Sequence, residues 1–373
     1  MTRTASDFDV AVVGLGAMGA LSAWQLAARG ARVIGFERFG SGHDLGSSHG
    51  DTRIFRTAYF ESPAYVPLLR RAHELWRRLE EESGSELLTM TGGLAIGRPD
   101  GELVTGMLES ARLNDLSCQL LSASDVSRAH PQHRLGANDV AVLEAGAGFL
   151  RPERSVAAAA ARAEALGARL LRETIVLSVA ATGSGVSIET SRGRFGADHA
   201  LITAGAWTPM LMSELGLPLK VERQVLSWLA VDDPSSFAPE RFPIFIREVA
   251  PGRFRYGFPS TDGRSIKLGV HHEGAEADPD SIDREVHDRD VRPLRDFARN
   301  SLRGVTAEVV RACVCMYTNT PDERFIATSP ASVPGVTVLS ACSGHGFKFA
   351  SVMGELMAGL VLDGSPLPTI IHS

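Results

Sequence analysis

Three short stretches of the chain hold residues whose types and spacing could do chemistry. Gly14-Leu-Gly16-Ala-Met-Gly19 follows an apolar run and has the spacing of a phosphate-binding turn. Gly14 would make the tight turn, Gly16 would let a pyrophosphate approach the backbone at a helix N-terminus, and Gly19 would let helix and strand pack closely. Ser47 to Arg56, SSHGDTRIFR, sets His49, Asp51, Arg53 and Arg56 among small polar residues. It is too polar for a core strand and too particular for a linker. Ser343 to Lys348, SGHGFK, precedes an apolar run at helical spacing. Backbone amides at that helix start, freed by Gly344 and Gly346, could face an anion or the electron-rich edge of a ring, and Lys348 adds a charge.

These stretches need elements to hold them. Asp9 to Val13 suits a strand buried on both faces, and Ala20 to Gly30 reads as a helix stopped near Gly30. Val33 to Phe36 is a second strand, ending in Glu37, 21 residues after Gly16. An acid at that place accepts from a ribose hydroxyl. Strand, glycines, helix, strand and acid in this order imply a dinucleotide site, without separating FAD from NAD. Arg38 leaves an opening for a 2′-phosphate that the acid disfavours.

Farther on, Ser62-Pro63 opens a helix that carries Leu68, Leu69, Ala72, Leu75, Trp76 and Leu79 on one face, with Gly84 behind it. Pro67 sits inside its first turns. An alanine-rich helix covers roughly 153–166, followed by short alternating strands and a buried strand near 200–203. From 221 to 271 the pattern alternates as antiparallel strands do, and the last stretch returns to strand, glycine loop and helix. The expectation is an α/β fold, α+β overall, in which a discontinuous cofactor domain (1–84, 150–215 and 320–373) alternates with a substrate domain (85–149 and 216–319).

The totals agree with two units. The chain has 373 residues, and single cores rarely grow past roughly 250–300 residues. Net charge is −6, which argues against a nucleic-acid surface or a polybasic membrane anchor. An anionic ligand would therefore need a local cluster of cations. Four cysteines in a chain this long make no disulfide framework, and Cys313-Val-Cys315 without a second pair gives no zinc pattern. Neither a signal-peptide core nor a run of roughly 18 apolar residues is present. The expectation is a soluble, cytoplasmic protein without metal.

The sequences SSHGDTRIFRTAY, YGFPS, IKLGVH, CMYTNTPDERF and SGHGFKF, in this order and spacing over nearly the whole chain, resemble the monomeric sarcosine oxidase family, which includes N-methyltryptophan oxidase. The resemblance implies a glutathione-reductase-type FAD domain, related to that of p-hydroxybenzoate hydroxylase, with an antiparallel catalytic domain, and FAD rather than NAD. It implies that Cys315 carries the flavin covalently, with Cys313 as the imaginable competitor. It places Arg56 and Lys348 on the substrate carboxylate, Arg53 over the flavin face, and His49 and Thr52 near the flavin. It also places Tyr256 and His271 in the substrate pocket, and Lys267 where oxygen is activated. The family name implies a monomer.

Four departures from the family pattern stand out: Ser48 in place of a second histidine, Cys342 before SGHGF, the entrance segment FESP after Tyr59, and a short tail after Leu362. The changed entrance leaves the substrate side chain open. The expected activity is oxidation of a small secondary α-amino acid, sarcosine first, with O2 as acceptor and hydrogen peroxide as product. A bulkier substrate such as N-methyltryptophan or pipecolate is the alternative. An NAD(P)-dependent dehydrogenase and a non-catalytic flavoprotein are the rivals from other classes.

Overall fold

In the computed structural model, residues 7–372 are described. The readings of the first six residues and of Ser373 fall outside them. Asp9 to Val13 lies in the strand Phe8–Val13, whose last four residues are buried. That strand pairs in parallel with Val33–Phe36 on one side and with Gly193–Ile202 on the other. Arg169–Leu171 and Val336–Ser340 extend the parallel run at its two ends. An antiparallel hairpin, Val176–Thr182 and Gly185–Thr190, joins the start of Gly193–Ile202. This is the Rossmann-like half that the glycine pattern requires.

The helix Ala17–Ala28 begins earlier than the apolar pattern indicates, because Gly16 itself is the extended residue at its N-cap. It is buried on every face but its last residue, since it lies against the sheet and between the helices Pro152–Ala165 and Ala350–Asp363. Leu21, Trp24 and Leu26 are fully buried there, each worth about 1.5–3 kcal/mol of transfer free energy. The Ser62 helix starts with a 3-10 turn, Pro63–Tyr65, and becomes α-helical at Val66, so Pro67 falls in its first turn. The apolar stripe read from the sequence is buried, and Gly84 closes the helix in the left-handed region.

A second sheet has eight strands, ordered Val305–Asn319, Lys220–Val231, Ser265–His271, Arg253–Phe258, Ile244–Ala250, Gly93–Gly97, Val140–Glu144 and Cys118–Ser122. All its pairs are antiparallel except Ile244–Ala250 with Gly93–Gly97. A small sheet of Arg53–Phe55, Gly148–Leu150 and Leu88–Met90 holds the SSHGDTRIFR segment. Three helices, Glu102–Asn114, Ala123–Ala129 and Asp288–Ser301, have no counterpart in the sequence reading. No helix among the described residues is long and apolar enough to cross a membrane.

Candidate active site

One cavity of about 660 Å³ runs from the glycine turn to the second sheet. Gly14, Gly16, Glu37, Thr52, Arg53, Arg56, Tyr256, Lys267, His271, Cys315, Gly344, Gly346 and Lys348 all line it. Two expected residues do not. Gly19 packs the helix against the turn: a Cβ there would lie 1.8 Å from the Gly14 carbonyl oxygen. His49 is buried behind the wall, with its Nδ1 4.0 Å from Cys313 Sγ.

At the nucleotide end, Gly14 has φ +89° and donates to the Phe36 carbonyl at 2.8 Å. A Cβ at Gly14 would meet the Thr203 carbonyl oxygen at 2.7 Å, so the turn admits only glycine. Glu37 accepts from Leu15 N at 2.9 Å and Phe39 N at 3.0 Å. Burial pushes its carboxyl up, but His43 and these two amides outweigh burial and hold it below the usual range. Oε2 keeps a lone pair for a ligand hydroxyl, while Oε1 also faces His43 Nε2 at 3.5 Å. Ser48, a departure from the family pattern, accepts from Ala17 N at 3.1 Å at the start of the first helix.

The second sheet supplies the other end by strand alternation. Lys267 and His271 share one face of their strand and pair across it with Phe258 and Phe254, which flank Tyr256. On Val305–Asn319, Cys315 and Tyr317 share a face and both line the cavity, whereas Cys313 does not. The Arg53 guanidinium donates to Ser47 O at 2.8 Å and Thr52 O at 2.9 Å, and its Nη2 lies 3.6 Å from Cys315 Sγ. Burial pushes the Cys313 thiol up to about 11. Lys267, 2% exposed, donates to Gly50 O at 2.7 Å and Thr52 O at 2.6 Å. Burial and then Arg53 lower its pKa well below the ordinary lysine value.

Arg56 and Lys348 come together over the Tyr59 ring, at 4.3 and 5.2 Å from its centroid. Both are buried. Burial and the neighbouring Arg56 bring Lys348 down to about 7, against the pull of Glu61. The Arg56 Nη2 donates to both oxygens of Glu61, at 2.5 and 2.6 Å. Lys348 donates to His345 O at 2.6 Å, and the His345 ring bonds the Tyr59 hydroxyl. Burial, with His272 and then the cations, keeps His271 neutral, and its Nδ1 lies 3.5 Å from the Tyr317 hydroxyl.

Sequence reasoning passed over Tyr317, Glu61, Glu144 and Glu153. Tyr317 stands two residues after Cys315 and was legible by strand alternation. Glu61 was quoted only as part of a changed entrance. Glu144 accepts from Thr57 N at 2.7 Å and Ala58 N at 3.2 Å, anchoring the base of that entrance, and burial raises its pKa.

The residues present fit an FAD. A glycine cradle and a carboxylate stand at one end. At the other, Thr52 Oγ1 is buried on the cavity wall without a hydrogen-bond partner among the described residues, which marks a polar ligand.

Comparison with known proteins agrees. The model of the DAO family, FAD dependent oxidoreductase, matches residues 9–360. Monomeric sarcosine oxidase of Streptomyces avermitilis is 43% identical over 362 residues, covering 96% of this chain and 94% of that protein. N-methyl-L-tryptophan oxidase of Salmonella arizonae is 32% identical over 361 residues, covering 96% of each. Among solved structures, NikD, an unusual amino acid oxidase essential for nikkomycin biosynthesis, superposes with a TM-score of 0.86 at 26% identity, over 97% of this chain and 96% of that one. With its glycine turn, its cavity and this match over almost its full length, the chain belongs to the DAO family of FAD-dependent oxidoreductases.

Proposed function

We propose that this protein oxidises a small secondary α-amino acid, sarcosine first, so that sarcosine, O2 and H2O give glycine, formaldehyde and H2O2. The observation that carries the reading is the pair of buried cations, Arg56 and Lys348, facing an aromatic pocket in the FAD cavity. A guanidinium fork and an ammonium hold a planar carboxylate. Relatives named monomeric sarcosine oxidase support the substrate.

The bound FAD supplies two-electron oxidation of the amine carbon–nitrogen bond and reaction with O2. This chain's residues bind and orient. Arg56 and Lys348 fix the carboxylate, while Tyr256, Tyr317 and neutral His271 line the space for the amine. The cationic pocket favours the neutral amine, the form that gives up its electrons. The Gly50 and Thr52 carbonyls that accept from Lys267 favour its charged form against burial and Arg53, and that charge would stabilise superoxide as it forms. Cys315 is the residue for covalent flavin attachment. The segments 1–84, 150–215 and 320–373 serve as the cofactor domain, and 85–149 and 216–319 as the substrate domain.

The likeness to N-methyl-L-tryptophan oxidase favours a second reading, a bulkier N-alkyl or cyclic amino acid. Peroxide release from a panel of sarcosine, N-methyltryptophan and pipecolate separates the two. Sarcosine is expected to give the highest kcat/KM; a higher value for either bulkier amine contradicts the first reading.

A further inference from the structure

Lys267 is set in place by a turn rather than by an ion pair. Gly50 has φ +93° and Asp51 φ +67°, and Thr52 N donates back to Gly50 O at 2.8 Å. A bond across two residues with a positive φ between them is the rare, strained γ-turn. The strain is specific to Asp51, which has a side chain. Gly50 sits at a φ that L side chains rarely adopt, and a Cβ there would also push on Leu226 Cδ1 at 2.5 Å. The turn points the Gly50 and Thr52 carbonyls at the Lys267 ammonium. Thr52 O also receives Arg53 Nη1 at 2.9 Å, so two cations converge on one carbonyl and its direction decides where both sit.

Two contacts oppose the strain from the other side. One is Glu153, in the first turn of the helix Pro152–Ala165. Its Oε1 accepts from Gly50 N at 2.5 Å and from Asp51 N at 3.1 Å. The other is Arg311, which pairs with Asp51 at 2.9 Å while lying over the Trp228 ring. The Arg311 and Asp51 side chains are 48% and 36% exposed, and such a pair contributes little. Glu153 is only partly exposed, lines the cavity and takes two consecutive amides.

We propose that Glu153 is a positioning residue for Lys267, holding the Gly50–Thr52 turn so that its carbonyls fix the ammonium beside the flavin site. This rests on the role given to Lys267 above.

The test uses the holoenzyme with Glu153→Ala, Glu153→Gln and, in parallel, Lys267→Met. Hydrogen exchange of the segment 47–56 reads the turn, and stopped-flow separates anaerobic flavin reduction by sarcosine from reoxidation by O2. Glu153→Ala is expected to speed exchange of the Gly50 and Asp51 amides, and to slow reoxidation, by about tenfold each, with reduction changed less than about twofold. Glu153→Gln keeps an acceptor oxygen and should recover most of both losses. Should Glu153→Ala not fold, Glu153→Asp, too short to reach both amides, takes its place with the same readings. Unchanged exchange overturns the proposal, as does faster exchange with normal reoxidation, or equal slowing of both half-reactions. If Lys267→Met leaves reoxidation unchanged, the oxygen role of Lys267 fails, and amide exchange still decides whether Glu153 holds the turn.

Discussion

The carboxylate of Glu61 closes the guanidinium of Arg56, with both oxygens within 2.6 Å of Nη2. Glu61 thus occupies Nη2, one of the donors proposed for the substrate carboxylate, while Nη1 donates to Ala58 O at 3.1 Å. Burial raises its pKa, but Arg56, His345 and Lys348 outweigh burial and keep it ionised. On the proposed reading, the substrate carboxylate competes with it for Nη2. Glu61→Gln is expected to lower KM for sarcosine by about tenfold, because a neutral amide competes less well for a guanidinium. The melting temperature should fall, since two buried cations lose their counter-charge. A KM unchanged or raised would show that the Arg56–Glu61 pair stays closed during turnover.

Lys348 gives the carboxylate site a pH dependence. Its pKa of about 7 lies below the ordinary lysine value. The empty site therefore carries both cations below that pH and loses one above it. A carboxylate without an amine, such as propionate, is expected to bind more weakly as pH rises from about 6 to about 8.5, by up to tenfold per unit above the pKa. Titration followed by flavin absorbance measures it. Tighter binding at the higher pH would remove Lys348 from the clamp.

Cys315, not Cys313, borders the cavity. Acid precipitation of the protein should carry yellow colour into the pellet, and Cys315→Ala should leave it in the supernatant. Cys313→Ala should behave as the unmutated protein. Free flavin from the unmutated protein contradicts covalent attachment.

Histidines held neutral by burial, His49, His133 and His345 among them, weaken the fold in acid. Burial brings His49 and His345 down to about 4 and His133 to about 3. Unfolded, each titrates near 6.5. All three are neutral when folded and gain protons on unfolding, so stability is complete above about pH 6.5 and drains away as pH falls through 4. Each contributes on the order of 3 kcal/mol. Denaturant midpoints between about pH 7 and 4 should drop steadily; a flat profile would show that these rings protonate without unfolding.

The glycine turn, the first strands and the buried helix stripe were legible because local sequence carries them. Gly14 needs its φ and Leu68 to Leu79 need one face, whatever lies elsewhere. Lys267, His271 and Tyr256 were placed by motif, and strand alternation explains why they face one cavity. Glu61, Glu144 and Glu153 were not legible. Their partners lie 5, 86–87 and 102–103 residues away, and a lone Glu has no pattern of its own. The helix Asp288–Ser301 was missed because it buries only Val291, Leu294, Phe297 and Ala298 among many charges.

The central claim is that this cavity oxidises a small secondary amine at a bound flavin. The most direct measurement is the absorption spectrum of the anaerobic holoprotein before and after sarcosine. We expect the flavin band to bleach and to return when O2 is admitted. A flavin band that sarcosine leaves unchanged would contradict the account.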